Sequence, residues 1–97
     1  MNNIAYIFLF FSTFLHAHVI EVGTNKPVKS IKKALSLAKD GDTVLVHKGI
    51  YKEGNIIIDK KIVFMGKNFP ILDGQKKYEV LSIKADSVVV QGFKVIR

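Results

Sequence analysis

Ninety-seven residues allow one domain, and a chain with no cysteine excludes disulfides, thiolate metal sites and a lipid-modified lipoprotein. The formal charge is +7, yet fourteen of the fifteen basic residues are lysine and the one arginine is the last residue. That composition lacks the bidentate arginines of nucleic-acid readers and reads as a cationic, solvated outer face, with an acidic partner, a uronate polymer or an anionic membrane surface as the other uses of the charge.

The first element is apolar. Ile4 to Leu15 carries four phenylalanines and no charge. A helix of that length reaches only about 18 Å, short of the roughly 30 Å hydrocarbon core, and suits the central region of a secretory signal peptide. Leu15-His16-Ala17 serves as a cleavage site, although Met1-Asn2-Asn3 supplies no Lys or Arg. The expectation is a signal peptide over residues 1–17, export to the periplasm and a mature segment over residues 18–97. That segment keeps every charged side chain. It is small enough to be marginal, and expected to aggregate, on its own.

A single helical pattern follows. Ile31, Ala34, Leu35 and Ala38 fall on one stripe, whereas Lys29, Lys32, Lys33 and Lys39 lie off it. Ser30 is the expected N-cap, Asp40-Gly41 the stop, and Pro27 restricts the entry. One amphipathic helix without a partner helix needs an apolar surface to cover, and the open end of a β-solenoid is such a surface. A helix packed across a small sheet is the alternative. Thr43 to Val46 then reads as a strand, with Lys48-Gly49 as a turn and Ile50-Tyr51 after it.

The rest of the chain nearly repeats itself. Ile62-Val63-Phe64-Met65-Gly66 recurs as Val88-Val89-Val90-Gln91-Gly92 at an offset of 26 residues, and Phe69-Pro70-Ile71-Leu72 is echoed by Phe93-Lys94-Val95-Ile96 at an offset of 24. Periods of this size mark solenoids. Two strand triplets carry the repeat: Asn55 to Asp59, Ile62 to Met65 and Phe69 to Leu72, then Glu79 to Ile83, Val88 to Val90 and Phe93 to Ile96. The expected fold is all-β, a right-handed parallel β-helix with an N-terminal capping α-helix, truncated after about two coils at Arg97. Asp73-Gly74 between apolar runs is also a hairpin signal and speaks for a sandwich or meander instead.

The run Ser30 to Leu35, then Ala38-Lys39-Asp40-Gly41-Asp42-Thr43-Val44-Leu45-Val46, then Gly49-Ile50-Tyr51-Lys52-Glu53, resembles the start of the pectin-lyase-like right-handed β-helices. There a helix, a Gly-Asp-Thr strand and a Gly-x-Tyr turn open the solenoid, a signature of fold and not of activity. Asn55 to Lys60, Gly66 to Gly74, Lys84 to Asp86 and Gly92 to Ile96 extend the likeness to the NosD family, so that it covers Val19 to Arg97. This resemblance implies an exported, non-catalytic accessory protein that works beside an ABC transporter in assembling the copper-sulfur centre of nitrous oxide reductase. Contacts with transporter components and with the reductase, and membrane association only through those partners, are what it implies about partners. The alternative is a carbohydrate-active β-helix enzyme, a polysaccharide lyase or hydrolase, with its catalytic residues beyond Arg97; a β-helix used only for adhesion is a third reading.

Few residues here invite chemistry. Soft copper sites use clusters of Cys, Met and His, and the mature segment offers Met65, His18 and His47. Copper therefore enters only through the family resemblance, and no catalytic or cofactor-binding residue is assigned. His18 is the one metal candidate, because cleavage after Ala17 makes its α-amine and imidazole available to one ion. His47 reads as a solvent-facing turn residue. Asp59 and Asp86 lie about one repeat apart, with Asp73 at another turn. Lyases of this superfamily gather carboxylates for calcium on an outer face, but Asp is also the ordinary residue of turns, and Lys60, Lys61 and Lys84 sit close by. Gly66-Lys67 lacks the glycine and hydroxyl residue of a phosphate loop.

Overall fold

The computed structural model describes residues 17–97. The expected signal segment, up to His16, lies outside the described residues. Among the described residues no helix is long and apolar enough to cross a membrane.

The chain winds into a parallel β-solenoid of about three turns with one short helix. Strand β1 (Val19–Val22) precedes helix α1 (Ile31–Leu37). β2 (Thr43–Val46), β3 (Ile50–Tyr51) and β4 (Ile56–Ile58) make the first turn, and β5 (Val63–Gly66), β6 (Ile71–Asp73) and β7 (Leu81–Ile83) the second. β8 (Val89–Gln91) and β9 (Lys94–Ile96) begin the third. Every strand pairing is parallel, in sheets ordered β1-β2-β5-β8, β3-β6-β9 and β4-β7. The hairpin alternative at Asp73-Gly74 is thereby excluded. Asp73 ends a strand, and its Oδ1 accepts from the Gln75 N–H at 2.8 Å, a tight Asx turn into the corner.

Alternation decides which side chains face inward. Along β2, Val44 and Val46 are fully buried while Thr43 and Leu45 face outward, the two-residue period of a half-buried strand. Register then stacks like on like: Ile20, Val44, Phe64 and Val90 form one column through the largest sheet. Phe64 is wholly buried, and its ring lies 4.4 Å from that of Phe93 in a stacked pair. Ile56, Ile58, Ile62, Pro70 and Leu72 complete the interior from the other turns.

Register also corrects the repeat. Val63 pairs with Val89, the expected offset of 26, but Ile71 pairs with Lys94, an offset of 23 and not 24. Aligning Phe69 with Phe93 is one residue out, and a one-residue slip exchanges the two faces of a strand. The inner corner is filled by Pro70, while Phe69 takes φ +54° beside Asn68 at φ +62° and is 71% exposed. Gly66 and Gly92, by contrast, do stack: a Cβ on Gly66 runs into the Gly92 carbonyl and the Pro70 ring, and Gly92 takes φ +85°. Backbone lies directly on backbone at this corner, which is why both turns carry glycine there.

Helix α1 covers the N-terminal end with Ile31, Ala34 and Leu35 buried, as its stripe requires. It stops at Leu37, three residues before the expected Asp40-Gly41.

Candidate functional site

The polar chemistry of the described residues concentrates where the helix and β1 meet the first turn. Ser30 caps α1 as expected, its side chain accepting from the Lys33 N–H at 3.2 Å. Glu53 reaches the same end from beyond β3. Its Oε2 accepts from the Ile31 N–H at 2.8 Å, and its Oε1 from the Lys32 N–H at 3.1 Å and the Ser30 hydroxyl at 2.8 Å. At the other end the Lys60 ammonium donates to the Leu35 carbonyl at 2.8 Å and the Ala38 carbonyl at 2.7 Å. An anion at the N-terminus and a cation at the C-terminus both complement the helix dipole. Glu53 and Lys60 are thus the two clamps that hold the cap on the coil.

Asp42 is the centre of the junction. Only 5% exposed, it is the one buried charged residue of the described core. Its Oδ1 accepts from the His18 N–H at 3.0 Å and its Oδ2 from the Lys39 N–H at 2.9 Å, tying the entry of β1 to the exit of the helix. The His18 amide, then the Lys39 amide, hold its carboxyl below the ordinary 3.8. Thr43 N–H donates back to the His18 carbonyl at 2.9 Å, and Asp40 accepts from the Lys61 N–H at 2.9 Å. The Gly-Asp-Thr signature is therefore a set of backbone staples. The Gly-x-Tyr signature is one too: the Tyr51 ring lies over Gly49, where a Cβ would sit 3.2 Å from it, and the Tyr51 hydroxyl donates to the His47 carbonyl at 2.7 Å. Burial, and then the charge of Glu53, push the Tyr51 hydroxyl above its ordinary 10.0.

His18, the metal candidate, has a side chain that is 74% exposed, with Nδ1 3.8 Å from Asp42 Oδ1. His47 is less open than a solvent-facing turn residue: its side chain is 25% exposed and Nε2 lies 2.7 Å from Glu21 Oε1, bridging two successive turns. That bond, followed by Lys26 at 3.3 Å, holds the Glu21 carboxyl below its ordinary 4.5. Lys26, His47, Lys48 and Lys67 line a groove of about 250 Å³ at this corner, bringing basic side chains from separate turns together.

The carboxylates do not stack. Ile58 pairs with Ile83, so the next step sets Lys84 beside Asp59, with the Lys84 N–H on the Ile58 carbonyl at 2.7 Å; Asp86 lies two residues further on. Asp59 faces a shallow cavity of about 310 Å³ together with Lys32 and Lys60. Among the described residues no three His, Cys, Asp or Glu side chains gather as a metal-holding group.

No protein-family model, curated protein or solved structure matches the chain.

Proposed function

We propose that the chain is the capped end of an exported β-helical accessory protein, one that assists assembly of the copper-sulfur centre of nitrous oxide reductase through contacts with an ABC transporter and the reductase. The observation that carries this reading is the likeness to the NosD family in Asn55 to Lys60, Gly66 to Gly74, Lys84 to Asp86 and Gly92 to Ile96; Asp42, Gly49, Tyr51 and Glu53, with their capping and corner roles, support the coil on which it is borne. Copper is cargo of the pathway in this account. The chain contributes a rigid, lysine-rich surface for protein contacts, at which a partner of complementary charge is steered and oriented.

The alternative, a carbohydrate-active enzyme, takes its catalytic residues from coils beyond Arg97, since within these turns the β4–β7 pairing sets Lys84 against Asp59 where a calcium or acid-base ladder needs a second carboxylate. The test is complementation in a denitrifying strain lacking its own β-helical maturation factor. Restored visible absorption of the copper-sulfur centre in purified reductase is expected on expressing the gene that encodes this chain. Reductase that stays without the centre, although the protein is exported and folded, contradicts the maturation role.

A further inference from the structure

Three donor atoms converge where the chain enters the solenoid. The backbone nitrogen of His18 is 3.0 Å from Asp42 Oδ1, and the His18 imidazole Nδ1 is 3.8 Å from the same oxygen. The Asp42 carboxylate is anchored by the Lys39 N–H on Oδ2, and the His18 backbone by the Thr43 N–H on its carbonyl. The imidazole alone is free to turn, being 74% exposed. Beside them opens a cavity of about 380 Å³ lined by His18, Val19, Ile20, Leu37, Lys39 and Asp42.

As an amide, the His18 nitrogen is only a donor to Asp42. As an α-amine it is a ligand. We propose that processing between Ala17 and His18 creates a site for a divalent late transition-metal ion, held by the α-amine and imidazole of His18 and the carboxylate of Asp42. The proposal rests on the export reading through the cleavage position alone, and is independent of the maturation role.

The geometry fits an ion. Two ligands each about 2.1 Å from one metal and at right angles stand about 3 Å apart, the separation already present between the nitrogen and Oδ1. Amine and Nδ1 of one histidine close a six-membered chelate ring, and a turn of the exposed ring brings Nδ1 nearer. The amine, imidazole and carboxylate set is of borderline softness, so affinity rises toward Cu(II) within the divalent series. Without metal the α-ammonium pairs with Asp42. Lys39 on the cavity wall opposes the cation; binding displaces one proton from that ammonium, so affinity increases with pH.

The protein is recovered from an exporting host as the full gene product, its N-terminus is fixed by intact mass, and Cu(II) and then Zn(II) are titrated with paramagnetic resonance and calorimetry as readouts. The expected result is a start at His18, one Cu(II) per chain with two nitrogen ligands, and release of about one proton at neutral pH. Transamination of the α-amine and His18→Ala each abolish the site, His47→Ala leaves it unchanged, and Asp42→Asn, which keeps one oxygen acceptor and turns an NH2 toward the other amide, weakens binding at least about ten-fold. A free peptide of residues 18–22 lacks Asp42 and is expected to bind at least about ten-fold more weakly than the chain, a comparison that needs no variant to fold. A mature chain starting elsewhere, affinity untouched by transamination, or a peptide that matches the protein overturns the site. Failure of reductase complementation leaves it standing.

Discussion

The first and last described turns of this solenoid differ in burial. In the first, Ile31 and Ala34 of the helix and Val22, Val44 and Val46 of the strands are fully buried, and charged side chains from later in the chain fasten that helix at both ends. In β7 to β9 the same aliphatic residue types stay open: Ile83 is 50% exposed, Val89 48% and Val95 53%. A coil buries its interior only against its neighbours in the stack, so a residue's contribution to stability is set by which turn carries it more than by its type. Polar staples are concentrated where the stack must be closed.

That contrast predicts a graded series. Phe64→Ala removes the central ring of the innermost column together with its Phe93 contact, and is expected to lower unfolding free energy by about 3–5 kcal/mol in urea melts of the full gene product. Gly66→Ala drives a methyl group into the Gly92 carbonyl and the Pro70 ring, at a cost of about 1–3 kcal/mol in the same melts. Glu53→Ala takes the carboxylate from the start of the helix for about 1 kcal/mol, and Glu53→Gln is expected to recover part of that, read as the shift in thermal midpoint.

Acid should act on the capped end. Asp42 has its folded value held below 3.8, so the stability it provides is fully present above the unfolded value and is lost as pH falls through the folded one. Glu21, lowered from 4.5, acts in the same direction. Thermal midpoints are expected to stay level with respect to these groups down to about pH 4.5 and to fall below it, and Asp42→Asn to flatten the lower part of that fall. The smallest effect belongs to the outward face: Val89→Ala should change stability by less than about 0.5 kcal/mol. A Val89→Ala cost equal to that of Phe64→Ala would erase the distinction between interior column and outer face.

Local pattern made much of this legible. The helix stripe, the Ser30 cap, the Thr43 to Val46 strand and the 26-residue repeat all follow from periodicity and turn residues, and all appear in the fold. β1 was not legible, because Val19-Ile20-Glu21-Val22 has no echo in the strand it pairs with, 24 residues on. The first turn advances only 20 residues from Thr43 to Val63 and likewise leaves no repeat. Corner loops of unequal length hide the true period, and matching phenylalanine to phenylalanine misled by one position, since the inner corner was taken by Pro70. The Asp59 and Asp86 alignment failed for the same reason. Glu53 and Lys60 fasten a helix more than twenty positions away, and long-range charge pairing leaves no periodic trace; the only available signal was Glu53 closing the Gly-x-Tyr run.

Register between successive turns is the claim on which the rest depends. Met65 and Gln91 are outward-facing partners on β5 and β8, in a chain with no cysteine of its own. The double variant Met65→Cys/Gln91→Cys brings two α-carbons to about 5 Å, within disulfide reach, whereas Met65→Cys/Val89→Cys separates them by about 8 Å. Rapid intramolecular oxidation of the first pair and none of the second, measured by mass and thiol titration, is the predicted result. Equal oxidation of both, or oxidation of the second alone, would contradict the parallel stack.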